Sequence, residues 1–134
     1  MGASKKETAW KYFSKYIRIR DAIETTGTIT HARCITCGTV LPITEMDAGH
    51  AIQGRSNSIL FIEEICHAQC RACNRFSSGK LSEYKKILIM RYGQEKWEEW
   101  EAMKHKRIKF ADVDYEQIAA QYRKKAEELK VTLA

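Results

Sequence analysis

The chain is 134 residues long and contains one proline, seven glycines and no run of about 18 apolar residues. Scarce proline and glycine exclude collagen-like and low-complexity sequence, and the missing apolar run excludes an ordinary membrane-spanning helix. The first residues, Met-Gly-Ala-Ser-Lys-Lys, lead into an amphipathic stretch and not into an apolar signal core, so a soluble, intracellular protein is expected. What is present is 44% hydrophobic and 10% aromatic residues, a composition that can fill one core in one domain of this length. Disorder is excluded on the same ground.

Charge is unevenly spread. Lys and Arg number 23 against 17 Asp and Glu, a net charge of +6 that suits an anionic partner such as nucleic acid. Residues 1–33 hold 7 basic and 3 acidic residues, residues 34–80 hold 4 of each, and residues 81–134 hold 12 and 10. The excess therefore sits in the flanks.

Apolar positions set the expected organisation. Trp10, Phe13, Ile17 and Ile23 recur near the helical period with Lys11, Lys15, Arg18 and Arg20 between them, which predicts an amphipathic helix over 8–26 with a basic outer face, closed by Gly27. Residues 28–80 carry short β-branched runs broken by Pro42 and by Gln53-Gly54-Arg55-Ser56-Asn57, a pattern of strands and loops with a short helix near the second cysteine pair. Residues 81–134 read as helices, with Trp97, Trp100 and Tyr122 on apolar stripes and Asp114 as a cap.

Four of the five cysteines form two Cys-x-x-Cys pairs, Cys34/Cys37 and Cys70/Cys73. Four soft thiolates match a closed tetrahedral Zn²⁺ site that supplies folding energy to a loop-rich segment, and Gly38 lets the backbone turn behind the first pair. A redox dithiol would need a βαβ context that the pattern lacks. Cys66, beside Ile62 and Ile65, reads as a small buried hydrophobe.

A closed zinc site performs no chemistry, so catalysis needs other groups. Asp47-Ala-Gly-His50 lies between the cysteine pairs, followed by His67 and by Asn74 directly after Cys73. A histidine and one divalent metal can together activate water, offset charge on a phosphorane-like state and assist a leaving oxygen.

These residues, with Ser78-Gly79-Lys80 after them, resemble the HNH (ββα-metal) nucleases, and specifically the NinG/Rap recombination proteins of lambda-like phages. The resemblance reaches outward to Trp10, to the segment 16–21, to Tyr84 and to the segment 91–95, covering roughly 10–130. It implies an α+β fold: a zinc-knuckle ββα-metal core flanked by an N-terminal helix and C-terminal helices. It further implies that His50 is the general base and that Asn74, with Asp47 or His67, holds a catalytic Mg²⁺ or Mn²⁺. Two positions depart from the motif: Gly49 stands where an Asp often precedes the histidine, and Ile65 where the middle Asn is usual.

Phosphate contacts are expected from Arg18, Arg20, Arg55, Arg71, Arg75 and Lys80. The implied substrate is branched DNA, such as Holliday junctions and D-loops, cut in the cytoplasm of a bacterial host by a phage or prophage protein. Symmetric cutting needs two sites, so a homodimer joined through the aromatic C-terminal helices is expected. The alternatives are a general or sequence-specific HNH endonuclease and a non-catalytic zinc-knuckle DNA-binding protein.

Overall fold

The computed structural model describes residues 3–54 and 56–133. Helix α1 spans Lys5–Thr26 and starts a turn earlier than its apolar stripe suggests. The reason is a capping box: the Ser4 hydroxyl accepts the Glu7 N–H at 3.1 Å, and the Glu7 carboxylate accepts the Ser4 N–H at 3.1 Å. The helix ends where Gly27 takes the left-handed conformation, φ 72°, and its N–H reaches the Ile23 carbonyl.

Two antiparallel hairpins follow. Strands β1 (His31–Arg33) and β2 (Val40–Pro42) pair with Ala32 opposite Leu41, and the turn between them carries Cys34 and Cys37, with Gly38 at φ 80°. Strands β3 (Met46–His50) and β4 (Cys66–Cys70) pair with Asp47 opposite Gln69 and Gly49 opposite His67. A four-residue helix, α2 (Asn57–Leu60), lies in the connection between them.

The helical segment after β4 is a π-helical turn, Ala72–Phe76, and not an α-helix. Three successive residues then take left-handed backbone conformations: Ser78 at φ 53°, Gly79 at φ 84° and Lys80 at φ 51°. For the two non-glycine residues this costs about 1–2 kcal/mol each. Helices α3 (Leu81–Tyr92), α4 (Gln94–Met103) and α5 (Asp112–Thr132) complete the chain. Helix α5 begins two residues before Asp114, whose carboxylate accepts the Ala111 N–H at 2.7 Å from inside the first turn. The architecture is α+β.

Three apolar clusters hold these elements. Phe13, Tyr16, Ile17 and Ile19 of α1 pack on Tyr122 and Ala126 of α5 and on Ala48 and Cys66 of the second hairpin. Tyr84, Leu88, Trp97 and Trp100 close over Ile52, Ile59 and Ile65. Ala22, Ala32, Met46 and Ala68 lie under the cysteine pairs. Trp97, Trp100 and Tyr122 are all buried, so these aromatic side chains belong to the chain's own core and offer no aromatic face for the expected dimer. Cys66 is fully buried among apolar neighbours, and burial pushes its thiol pKa upward. Among the described residues no helix is long and apolar enough to cross a membrane.

Candidate active site and metal centre

The turn of the first hairpin and the end of β4 bring Cys34, Cys37, Cys70 and Cys73 together, their sulfurs all within 4.8 Å of one another. Tetrahedral Zn²⁺ with Zn–S bonds of about 2.3 Å spaces its sulfurs roughly 3.8 Å apart. Cys37 and Cys70 sulfurs stand 3.7 Å apart, so the four thiols could hold zinc with little adjustment. Burial works against ionising Cys34, yet hydrogen bonds from Thr36 and from the backbone of the two knuckles bring its pKa down to about 6. Burial and the neighbouring thiols push Cys70 up to about 12, the cost of crowding thiolates that a divalent cation would offset.

Asn74 follows Cys73 on the same π-helical turn and faces the opposite way, toward β3. Its Nδ2 donates to Asp47 Oδ2 at 3.0 Å. Arg75 forks onto the same carboxylate, Nε to Oδ2 and Nη2 to Oδ1, both at 2.8 Å. Burial would raise the Asp47 carboxyl, but the hydrogen bonds from Arg75 and Asn74 outweigh it and hold it below the ordinary carboxylate range.

His50 ends β3. Its ring stacks on Trp10 of α1, centroids 5.0 Å apart at 28°, and its Nε2 lies 2.9 Å from the Leu60 carbonyl. A carbonyl only accepts, so Nε2 carries the hydrogen, and in the neutral ring the lone pair falls on Nδ1. Among the described residues β3 pairs with β4 alone, and Met46, Asp47, Ala48 and His50 of β3 border one cleft of about 570 Å³. Trp10, Ser14 and Arg18 of α1 form one wall, Asp47 and His50 the floor, and Arg71, Asn74 and Arg75 the other wall. Three guanidinium groups against one carboxylate make this cleft cationic.

Gly49, where the motif often has Asp, has no room for a side chain. A Cβ there would lie 2.1 Å from Gln69 Oε1 and 3.1 Å from Asn74 Oδ1. Gln69 itself is fully buried; its Nε2 donates to the Gly79 carbonyl at 2.8 Å and the Thr36 hydroxyl at 3.1 Å, while its Oε1 has no hydrogen-bond partner among the described residues. Ile65, at the middle motif position, is buried in the second core cluster. Asn57, in the connection between β3 and β4, donates to the Ile108 carbonyl and accepts from Tyr115, which ties that connection to the start of α5 and the segment before it.

The structure separates His67, Arg20 and Lys80 from this cleft. His67 is 3% exposed; its Nε2 faces the Glu64 carbonyl at 3.0 Å, and its Nδ1 lies 3.1 Å from Arg20 and 3.4 Å from Asp21. Arg20 turns inward to Asp21 and to the carbonyls of Glu63 and Cys66, so it is a structural cation and its guanidinium is not offered to phosphate. Asp21 also accepts the Ala68 N–H at 2.6 Å. Arg18 donates to the carbonyls of Ser14 and Ile43, and Arg71 to that of Thr44, while both still line the cleft. Lys80 borders a neighbouring hollow with Arg71, and Arg55 lies outside the described residues. Trp10 and Gln69 carry the site without having been singled out as site residues. A polar side chain inside a strand between two cysteines was the available signal for Gln69, whereas Trp10 is hidden in an ordinary apolar stripe.

A family model described as "Bacteriophage Lambda NinG protein" matches residues 3–131. Protein ninG of Escherichia phage lambda is 37% identical over 98 residues, covering 72% of this chain and 47% of that protein. Protein ninG of Salmonella phage P22 is 36% identical over 98 residues, again 72% of this chain and 47% of the relative. The chain thus spans about half the length of the curated relatives it matches. No solved structure matches. The chain belongs to the NinG family of bacteriophage proteins.

Proposed function

We propose that this chain is a metal-dependent DNA endonuclease that hydrolyses phosphodiester bonds in branched DNA, such as Holliday junctions and D-loops, on a zinc-knuckle ββα-metal framework. The observation that carries the reading is the convergence of Asp47, Asn74 and His50 in one cationic cleft, with Asp47 and Asn74 3.0 Å apart. Asp47 and the Asn74 amide oxygen are hard oxygen donors suited to Mg²⁺ or Mn²⁺. When bound there, the ion would stabilise charge on the scissile phosphate and the leaving oxygen. His50 takes the proton of the attacking water on Nδ1, with Leu60 fixing the tautomer and Trp10 the ring plane. Arg18 and Arg71 offer positive charge to the strand. His67, lying outside the cleft, takes a structural part in this reading.

A second reading, a non-catalytic zinc-stabilised DNA-binding protein, has one observation in its favour: Arg75 already neutralises Asp47 with two hydrogen bonds. The two are separated by incubating a labelled four-way junction beside a linear duplex of the same sequence, with and without added Mg²⁺ or Mn²⁺, using wild type and His50→Ala. EDTA controls are followed by zinc add-back, because the chelator also strips the thiol site. Metal-dependent junction cutting that His50→Ala abolishes is the expected result. Equal cutting of both substrates would demote the protein to a general nuclease, and binding without cutting would select the second reading.

A further inference from the structure

Phe76, the last residue of the π-helical turn, is 85% exposed, and among the described residues no ring or cation stacks on it. Met90 and Val131 are also exposed, but they lie on α3 and α5, away from the site. Phe76 directly follows Arg75 of the cleft and precedes Ser77 of the neighbouring hollow, so it stands on the segment that separates the two. Arg71 borders both hollows, and Lys80 borders the second beside one acid, Glu45. Lys80 holds no ion pair among the described residues and is presented by the left-handed turn at 78–80, whose carbonyls at Ser78 and Gly79 are pinned by Gln53 and Gln69.

An exposed phenyl ring offers a free face for stacking, and the charges of the adjoining hollows select what can stack on it. The hollow on one side of its segment is lined by Arg71 and Lys80 against Glu45, and the cleft on the other by Arg18, Arg71 and the Arg75–Asp47 pair, a net positive charge that fits a polyanion and opposes a basic partner. Nucleobases offer aromatic faces on an anionic backbone, and base stacking on an exposed ring is available only where the base is unpaired or its step is opened. Intact duplex presents edges and phosphates and gives such a ring little to stack on.

We propose that Phe76 is a stacking residue that takes an unpaired nucleobase where the DNA strands open, making it the part of this surface that prefers branched over linear DNA. The inference rests on the nuclease reading for its substrate class, but it concerns binding alone. It is tested with the zinc-loaded 134-residue chain and no added Mg²⁺ or Mn²⁺. Affinities for a four-way junction, a duplex with an unpaired thymine flap and a linear duplex are measured for wild type, Phe76→Ala and Phe76→Trp.

Loss of one base stack is expected to weaken Phe76→Ala about tenfold on the two branched substrates and less than twofold on linear duplex. Phe76→Trp should bind like wild type. Quenching of 2-aminopurine placed at the flap should be present in wild type and absent in Phe76→Ala. Unchanged binding by Phe76→Ala overturns the proposal, as does an equal loss on all three substrates. Unchanged DNA binding with a reduced oligomeric mass would give the ring to a second copy of the chain and also overturn it. Wild type that binds branched DNA through Phe76 but never cuts it would sink the nuclease reading and leave this one standing.

Discussion

Replacing Gly49 by alanine tests the packing that underlies the cleft. The backbone at Gly49 is not left-handed, so alanine meets no conformational penalty and should gain about 0.4–1 kcal/mol from a less flexible unfolded chain. Against that stands the added Cβ, 2.1 Å from Gln69 Oε1 and 3.1 Å from the Gln69 Cβ. Gln69 cannot swing away cheaply, since its amide is tied to Gly79 and Thr36 in a fully buried position. Overpacking of this kind costs about 1–3 kcal/mol, which leaves Gly49→Ala destabilised by about 1–2 kcal/mol net.

A double-mutant cycle turns this into a sharp test. Gln69→Ala removes the amide oxygen and leaves only the tight 3.1 Å approaches to its Cβ and to Asn74 Oδ1, so in its background Gly49→Ala should be close to neutral, a coupling of about 1–2 kcal/mol between the two sites. Urea unfolding of the four zinc-loaded proteins reads it as a midpoint shift of roughly 1 M that is present in wild type and absent in the Gln69→Ala background. Additive effects would refute the steric argument. The same Cβ approaches Asn74 Oδ1, so on the nuclease reading Gly49→Ala should also slow junction cleavage more than its stability loss explains.

Three further outcomes are expected. Metal analysis should find one zinc per chain; Cys73→Ser should lose it along with the hairpin fold, whereas Cys66→Ala should keep it, and a Cys66→Ala protein that loses zinc would overturn the four-thiol assignment. Asp21→Asn leaves Arg20 with a buried uncompensated charge and should cost about 3 kcal/mol by urea unfolding. Burial raises the Asp21 carboxyl, but hydrogen bonding from His67 and the Arg20 charge bring it below its ordinary value. A depressed folded pKa gives stability that is present above the unfolded pKa and lost as pH falls through the folded one, so the gap between wild type and Asp21→Asn should not shrink from pH 7 to 5. A gap that closes within that window would contradict the assignment.

The thiol cluster was legible because paired thiols at this spacing are rarely anything but ligands or disulfides, and the structure also sets Asp47 beside Asn74, 27 residues away in sequence, on the cleft that His50 lines. Arg20 was not legible, because a helical charge reads as solvated until a long-range partner is known. Here the partners are the Glu63 and Cys66 carbonyls, more than forty residues away. His67 failed for the same reason, its ring being held by α1 across the sheet. The π-helical turn escaped because its apolar spacing is too short to separate one helical form from another. Gly49 looked like a loss from the motif and is instead a close-approach position, which only the neighbouring Gln69 reveals.

Gln69 also explains how a closed thiol site can govern a cleft it does not line. Its amide joins Thr36, in the first knuckle, to Gly79, in the left-handed turn before α3, while its Oε1 abuts Gly49 between Asp47 and His50. Cys73 and Asn74 make a second link, one residue facing the thiol cluster and the next reaching Asp47. Loss of the first knuckle would therefore free Gln69, and loss of the second would free Asn74. Both routes end on β3, so zinc chelation should disorder the cleft residues without any chelator reaching them. Trp10 and the α1 wall, bound through the Phe13 cluster to α5, do not depend on either link. A zinc-stripped chain should accordingly keep the α1–α5 packing while losing the geometry of Asp47, His50 and Asn74 together.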